Sequence, residues 1–150
     1  MVRWADFEAA APELASLGRE RLEGLGFALV GTIRRDGTPR ISPVEVRFVQ
    51  GELAMNMVSD SLKARDLDRD PRILLHSPML NADDPNDEFK LRGRAVVATD
   101  EKLCAAVADL TWHPPPPSRA FVLDLESAAF VAWSKGEMTV TRWSTERGPY

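Results

Sequence analysis

Ser61 and Lys63, a hydroxyl and an ammonium two positions apart, are the first candidates for a ligand site in this sequence. They stand in SDSLKARDLDRDPR (59–72), directly after the apolar run LAMNMV (53–58). A hydroxyl and an ammonium at the first turn of a helix that follows a strand meet unpaired backbone N–H groups and the positive end of the helix dipole. That combination suits an anion, phosphate above all. The same pattern has a plainer use. Ser59, Asp60 or Ser61 caps the helix, while Lys63, Arg65, Asp66, Asp68 and Arg69 form its solvated face.

Other chemistries lack their parts. His76 and His113 are the only histidines, and no Cys/His cluster has ligand spacing, so no metal site is expected. G-x-S-x-G, Walker A and G-x-G-x-x-G are all absent. Lys90, Arg92 and Arg94 could meet an acidic ligand or form the wet side of an amphipathic strand. Met55, Met57, Trp133 and Trp143 could line a flat-ring pocket, or belong to a core or an interface.

Composition narrows the classes. The 150 residues suit a single domain over 1–150, with a helical segment at 1–26. A net charge of −4 disfavours nucleic acid, whose phosphates need a basic face. The lone Cys104 cannot form an internal disulfide and reads as a buried, inert thiol, with cytoplasmic residence expected. MVRWADFEAAAPEL holds acids and no sustained apolar run, so neither a leader nor a membrane span is expected there.

The elements that must position Ser61 and Lys63 follow from periodicity. Leu14, Leu17, Leu22 and Leu25 have helical spacing, Pro12 suits a first turn, and Gly24 and Gly26 end the helix. FALVGTI (27–33) reads as a buried strand, Asp36-Gly37 as a hairpin turn with both residues at positive φ, and PRISPVEVRFV (39–49) as the return strand. In that strand Ile41 is odd while Val44, Val46 and Phe48 are even, which predicts a bulge at Ser42-Pro43. After the QGE turn, LAMNMV puts Leu53, Met55 and Met57 on one face. The charged helix runs from about Ser61 to Arg69 and stops before Asp70-Pro71. ILLHS is a strand, PMLNADDPND a polar loop, and EFKLRGRAVVAT a strand with Phe89, Leu91, Ala95 and Val97 inward. Asp100 caps a helix carrying Leu103, Val107 and Leu110. WHPPPP is a stiff connector to three strands, RAFVLDL, AAFVAWS and EMTVTRW, the last two joined at Lys135-Gly136. About eight strands linked mainly by hairpins predict a mainly β, antiparallel barrel, with three helices.

The order FALVGTIRRDGTPRISPV, a third strand, SDSLKARDLDRDPRILL and FKLRGRAVV resembles the pyridoxamine-phosphate-oxidase-like, flavin-binding split-barrel family over roughly Phe27 to Thr99. There a hairpin and a strand precede S-x-K at the start of a short helix, then N/D-P, then a strand with a G-x-A element. The resemblance implies a Greek-key split barrel, a homodimer, and one FMN in each of two clefts at the interface. It assigns flavin contacts to the stretch from Ser42 to Arg47 (Ser42, Pro43, Val44 and Arg47 among them) and to Asn56 and Met57. The phosphate clamp falls on Ser61 and Lys63.

The departures are specific. Ser42 and Leu62 stand where many of these proteins have arginine, so Arg40, Arg47 or Arg65 would supply the missing charge. RWSTERGPY has no match to the arginine–histidine pattern that grips pyridoxal phosphate, so true pyridoxamine-phosphate oxidase activity is not expected. The implied function is an FMN-dependent or deazaflavin-dependent oxidoreductase acting on a small molecule, with no catalytic acid or base named. A homodimer that stores or senses flavin, or less favourably haem, without catalysis is the alternative.

Overall fold

The computed structural model describes residues 1–79, 87–112 and 115–150. The expected polar loop at 78–87 falls largely outside these residues, as does His113. Helices α1 (Trp4–Ala10) and α2 (Pro12–Leu25) lead into β1 (Phe27–Ile33), β2 (Pro39–Val49) and β3 (Glu52–Val58). Helix α3 (Leu62–Arg69) then crosses to β4 (Arg72–His76) and β5 (Glu88–Val97). After α4 (Glu101–Leu110) come β6 (Ser118–Ser134), β7 (Glu137–Ser144) and the short β8 (Gly148–Pro149).

All strand pairs are antiparallel, in the order β3-β2-β1-β4-β5-β6, and β6 pairs back with β3. Six strands therefore close into a barrel, and β7 and β8 extend the sheet beyond β6. Strands β1 to β3 form a meander, and β4 returns to lie beside β1, which is the Greek-key arrangement. The returning connection carries α3, so topology alone brings this helix across one end of the barrel.

The interior is filled by alternating strand residues such as Val30, Met55, Leu75, Leu91 and Phe121. Trp4 and Phe7 of α1 and Leu14 and Leu22 of α2 join the same core, with Trp4 and Phe7 edge to face at 5.1 Å. Helix α4 packs Val107 into a smaller cluster with Val49, Ala54, Ala120 and Val122, on the outer face of β2, β3 and β6. The Asp100 cap is present, its carboxylate accepting from Leu103 N–H at 2.7 Å. No helix among the described residues is long and apolar enough to cross a membrane.

Several sequence expectations are corrected. The β1–β2 register runs unbroken from Phe27–Glu45 to Ile33–Pro39, so there is no bulge at Ser42-Pro43. Ile41 faces outward and is 72% exposed, beside Leu29 and Leu74, which are also exposed. The bulge lies instead between β5 and β6. The register steps from Arg92–Ser127 to Gly93–Leu125, and the inward parity of β6 changes from Phe121, Leu123 and Leu125 to Ala128 and Phe130. Gly93 is required there, because a Cβ would stand 2.1 Å from the Asp124 carbonyl oxygen. With that bulge absorbed, RAFVLDL and AAFVAWS form one strand rather than two.

The Asp36-Gly37 turn spans residues 34–38, with Arg34 N–H bonded to Thr38 O at 2.9 Å, and only Gly37 has positive φ. The paired positive φ angles occur at Gln50-Gly51 and Lys135-Gly136. Val97, Leu110 and Trp133 are exposed, and Cys104 is half-buried.

Candidate functional site

Strands β2 and β3 pair only from Val46–Met55 to Val49–Glu52. Toward α3 they part: Pro43–Glu45 keep pairing with β1, while Asn56, Met57 and Val58 pair with β6. Pro43 brings no N–H to the ladder, which suits a stretch without a β3 partner. The separation opens a cavity of about 300 Å³ lined by Pro43, Val44, Asn56, Met57, Lys63 and Trp112, with Glu45 at its edge.

Helix α3 sets one end of this cleft. Ser61 is its N-cap, the side-chain oxygen accepting from Ala64 N–H at 3.4 Å and the carbonyl from Arg65 N–H at 3.0 Å. The N–H groups of Leu62 and Lys63, in the first turn, have no intrahelical acceptor by geometry. The Lys63 ammonium makes no ion pair among the described residues. Ser61 thus serves as the cap, the plainer of its two readings, and its O–H can still donate outward.

The opposite wall is the chain just after α4. Arg47 donates through Nε to Leu110 O at 2.7 Å, placing a cation on the negative end of α4. It also donates through Nη1 to Gly26 O at 2.7 Å and Val46 O at 2.8 Å, and through Nη2 to Glu45 at 2.8 Å. Glu45 accepts in turn from Trp112 N–H at 2.5 Å. Asn56 Nδ2 donates to Thr111 Oγ1 at 3.4 Å. Three residues of β2 and β3 thereby pin 110–112 beside the cleft.

Five of the nine sequence-derived positions meet here: Pro43, Val44, Asn56, Met57 and Lys63. Ser61 caps the adjoining helix, and Ser42 is half-buried on β2 outside the lining. Arg47 lines a separate hollow beside Gly26 and Phe48. Arg40 donates through Nε to Asp66 of α3 at 2.6 Å, so neither arginine borders the cleft, and Arg65 does not either. Asp66 also accepts from Thr32 Oγ1 at 2.9 Å and Arg69 Nη2 at 3.0 Å. Burial works to raise its pKa, but the bonds from Arg40, Arg69 and Thr32 prevail and hold it below the usual aspartate value.

No local sequence signal points to Trp112. It sits 67 positions from Glu45, and WHPPPP reads locally as a stiff connector, or as a proline segment that docks a partner, with no signal for a ligand. Among the described residues no three His, Cys, Asp or Glu side chains are placed to hold a metal ion.

The donor set fits a phosphate monoester: two first-turn N–H groups, a hydroxyl and an ammonium. Beyond it, Pro43, Val44, Met57 and Trp112 offer apolar surface for a planar ring, and Asn56 and Glu45 offer polar edges. At about 300 Å³ the cleft holds part of such a ligand and leaves part uncovered.

Comparison with known proteins bears on the family and the fold. The family model described as pyridoxamine 5'-phosphate oxidase matches residues 17–132. The chain belongs to the pyridoxamine 5'-phosphate oxidase family. No curated protein matches it. Among solved structures it is similar to a heme binding protein from Mycobacterium smegmatis, with 20% identity and a TM-score of 0.64, covering 83% of this chain and 56% of that one. It is also similar to a pyridoxamine 5'-phosphate oxidase-related, FMN binding protein from Nostoc punctiforme, with 12% identity, a TM-score of 0.63, and coverage of 92% and 93%. A third is PhzG from Burkholderia lata, determined with tetrahydrophenazine-1-carboxylic acid, with 14% identity, a TM-score of 0.65, and coverage of 98% and 90%. At these identities the likeness is one of fold, and proteins that share the fold include an FMN binder and a haem binder.

Proposed function

We propose that this chain binds FMN, or a deazaflavin carrying a comparable phosphate, in the β2–β3 cleft and acts as an oxidoreductase in a homodimer. The observation that carries the reading is the parting of β2 and β3, with a lysine ammonium at one end that makes no ion pair among the described residues. Family membership and the FMN-binding relative support it. When bound, the flavin supplies the hydride and electron chemistry.

The chain's own residues bind and orient. Lys63, the Ser61 hydroxyl and the first-turn N–H groups of α3 hold the phosphate. Val44, Met57 and Trp112 exclude water from one side of the ring, and Asn56 meets its polar edge. The Ser42 and Arg47 contacts carried over from the family would be indirect, through the strand and through residues 110–112. Arg40 would act by fixing α3 through Asp66.

A second copy supplies the missing cover. Leu29 is the register neighbour of Pro43, and with Ile41 and Leu74 it makes an exposed apolar strip beside the cleft. We assign the substrate to a class other than pyridoxamine phosphate, because no histidine accompanies Arg142 in the C-terminal segment.

Titration of the purified protein with FMN, followed by flavin fluorescence, tests the reading. Lys63→Ala is expected to weaken binding about tenfold or more, the loss of one charge-assisted contact. Unchanged affinity would remove the clamp. A co-purifying molecule with a Soret band would replace flavin by haem. Tight flavin that no reduced nicotinamide bleaches would leave a binding protein without catalysis.

A further inference from the structure

A second concavity lies on another face of α3. A bay of about 590 Å³ opens between this helix and the β1–β2 turn. Leu62, Arg65, Asp66 and Arg69 line it with i, i+3, i+4, i+7 spacing, and Arg34, Arg35, Asp36 and Arg40 complete the walls. Five arginines face two aspartates, an excess of three positive charges in a chain whose net charge is −4. Such a concentration is costly without a counter-ion, and it focuses the field on the bay.

The floor is organised in advance. Asp66, 4% exposed, holds the guanidiniums of Arg40 and Arg69 at once, and Arg69 is fixed again by Ile33 O at 2.7 Å. One carboxylate thus positions two cations while neutralising one. Arg40 reaches Asp66 through Nε, and its two Nη groups, without a hydrogen-bond acceptor among the described residues, can meet an outside one. The rim is less committed still. Arg34 and Arg35 make no ion pair among the described residues, and Arg65 meets Asp60 only at 3.8 Å, both groups being well exposed. The Asp36 carboxylate is occupied by the Thr38 N–H and hydroxyl, at 3.0 and 2.6 Å.

Guanidinium forks match phosphate oxygens in pairs. A bay bounded by a turn and a helix limits the length of its occupant, whereas a nucleic-acid polymer needs a continuing basic track. We propose that this bay is a binding site, separate from the β2–β3 cleft, for a small molecule carrying two or three linked phosphates.

Calorimetric titration of the intact protein with inorganic tripolyphosphate at low ionic strength tests this. One saturable site per chain is expected. The double variant Arg34→Ala/Arg35→Ala should weaken it about tenfold or more while FMN binding stays as in the wild type. Its folding is safeguarded because the turn's backbone bond from Arg34 N–H to Thr38 O is kept. Arg65→Ala, on the helix wall, should weaken binding independently. Lys63→Ala should leave the tripolyphosphate titration unchanged. Absence of saturable heat, or indifference to the arginine substitutions, would overturn the assignment. Loss on Lys63→Ala would move the anion to the cleft. A single-stranded oligonucleotide binding more tightly than tripolyphosphate would replace the small ligand by nucleic acid.

Discussion

Asp66→Ala asks whether one buried carboxylate fastens α3, and with it Lys63, to the barrel. Asp66 is 4% exposed and accepts from β1 (Thr32), β2 (Arg40) and its own helix (Arg69). Removing one partner of a buried ion pair costs about 3–5 kcal/mol, because the other charge is left stranded. The Arg40 and Arg69 side chains retain 19% and 38% exposure and can regain water, which moves the expectation to the lower end of that range. Thr32, at 3% exposure, loses its acceptor for about 1 kcal/mol more. The expected loss is therefore about 3–4 kcal/mol. Asp66→Asn keeps the shape and the Thr32 acceptor and should lose about 2 kcal/mol.

Urea denaturation at neutral pH, with m unchanged, reads both numbers. The pH dependence adds a second check. The folded pKa of Asp66 lies below that of the unfolded chain, so its contribution is present above the unfolded value and lost as pH falls through the folded one. The gap between wild type and Asp66→Asn should be wide at neutral pH and narrow in acid. An Asp66→Ala protein within about 0.5 kcal/mol of wild type, or a gap indifferent to pH, would refute the reasoning.

Other expectations follow the same logic. Gly93→Ala forces a Cβ onto the Asp124 carbonyl at the β5–β6 bulge and should cost about 3 kcal/mol by denaturation, the upper range for overpacking. Burial and the nearby Asp6 raise the pKa of Glu52 despite Arg3 at 3.6 Å, and one of its carboxylate oxygens has no hydrogen-bond partner among the described residues. A raised pKa means a contribution present in acid and lost as pH rises through the folded value. Glu52→Gln should therefore increase Tm at neutral pH, with the advantage disappearing in acid. Trp112→Ala should weaken FMN about fivefold without lowering Tm, if the indole covers the ring. Normal affinity would take that residue out of the site.

Most elements and their order were legible in the amino-acid sequence, but the division of the N-terminal helical segment into α1 and α2 and the continuity of β6 were not. Local physics sufficed: helical spacing and Pro12 for α2, the stop at Asp70-Pro71, the Asp100 cap, the Lys135-Gly136 turn and the alternation of β5 each act within a few residues. The same local signals led to the cap at Ser61 and, through the order of pieces, to the family. Strand faces at the bulge were not legible. One extra residue in β6 shifts parity only when β5 lies opposite, and Ile41 looks inward until the β1–β2 register is known. How the charges pair and what walls the cleft follow from the closed barrel and not from any local pattern. Arg40 with Asp66, Arg47 with Leu110 and Trp112 with Glu45 join residues 26 to 67 positions apart. Which arginine is held and which stays open to a ligand depends on barrel closure, and no local pattern encodes that pairing.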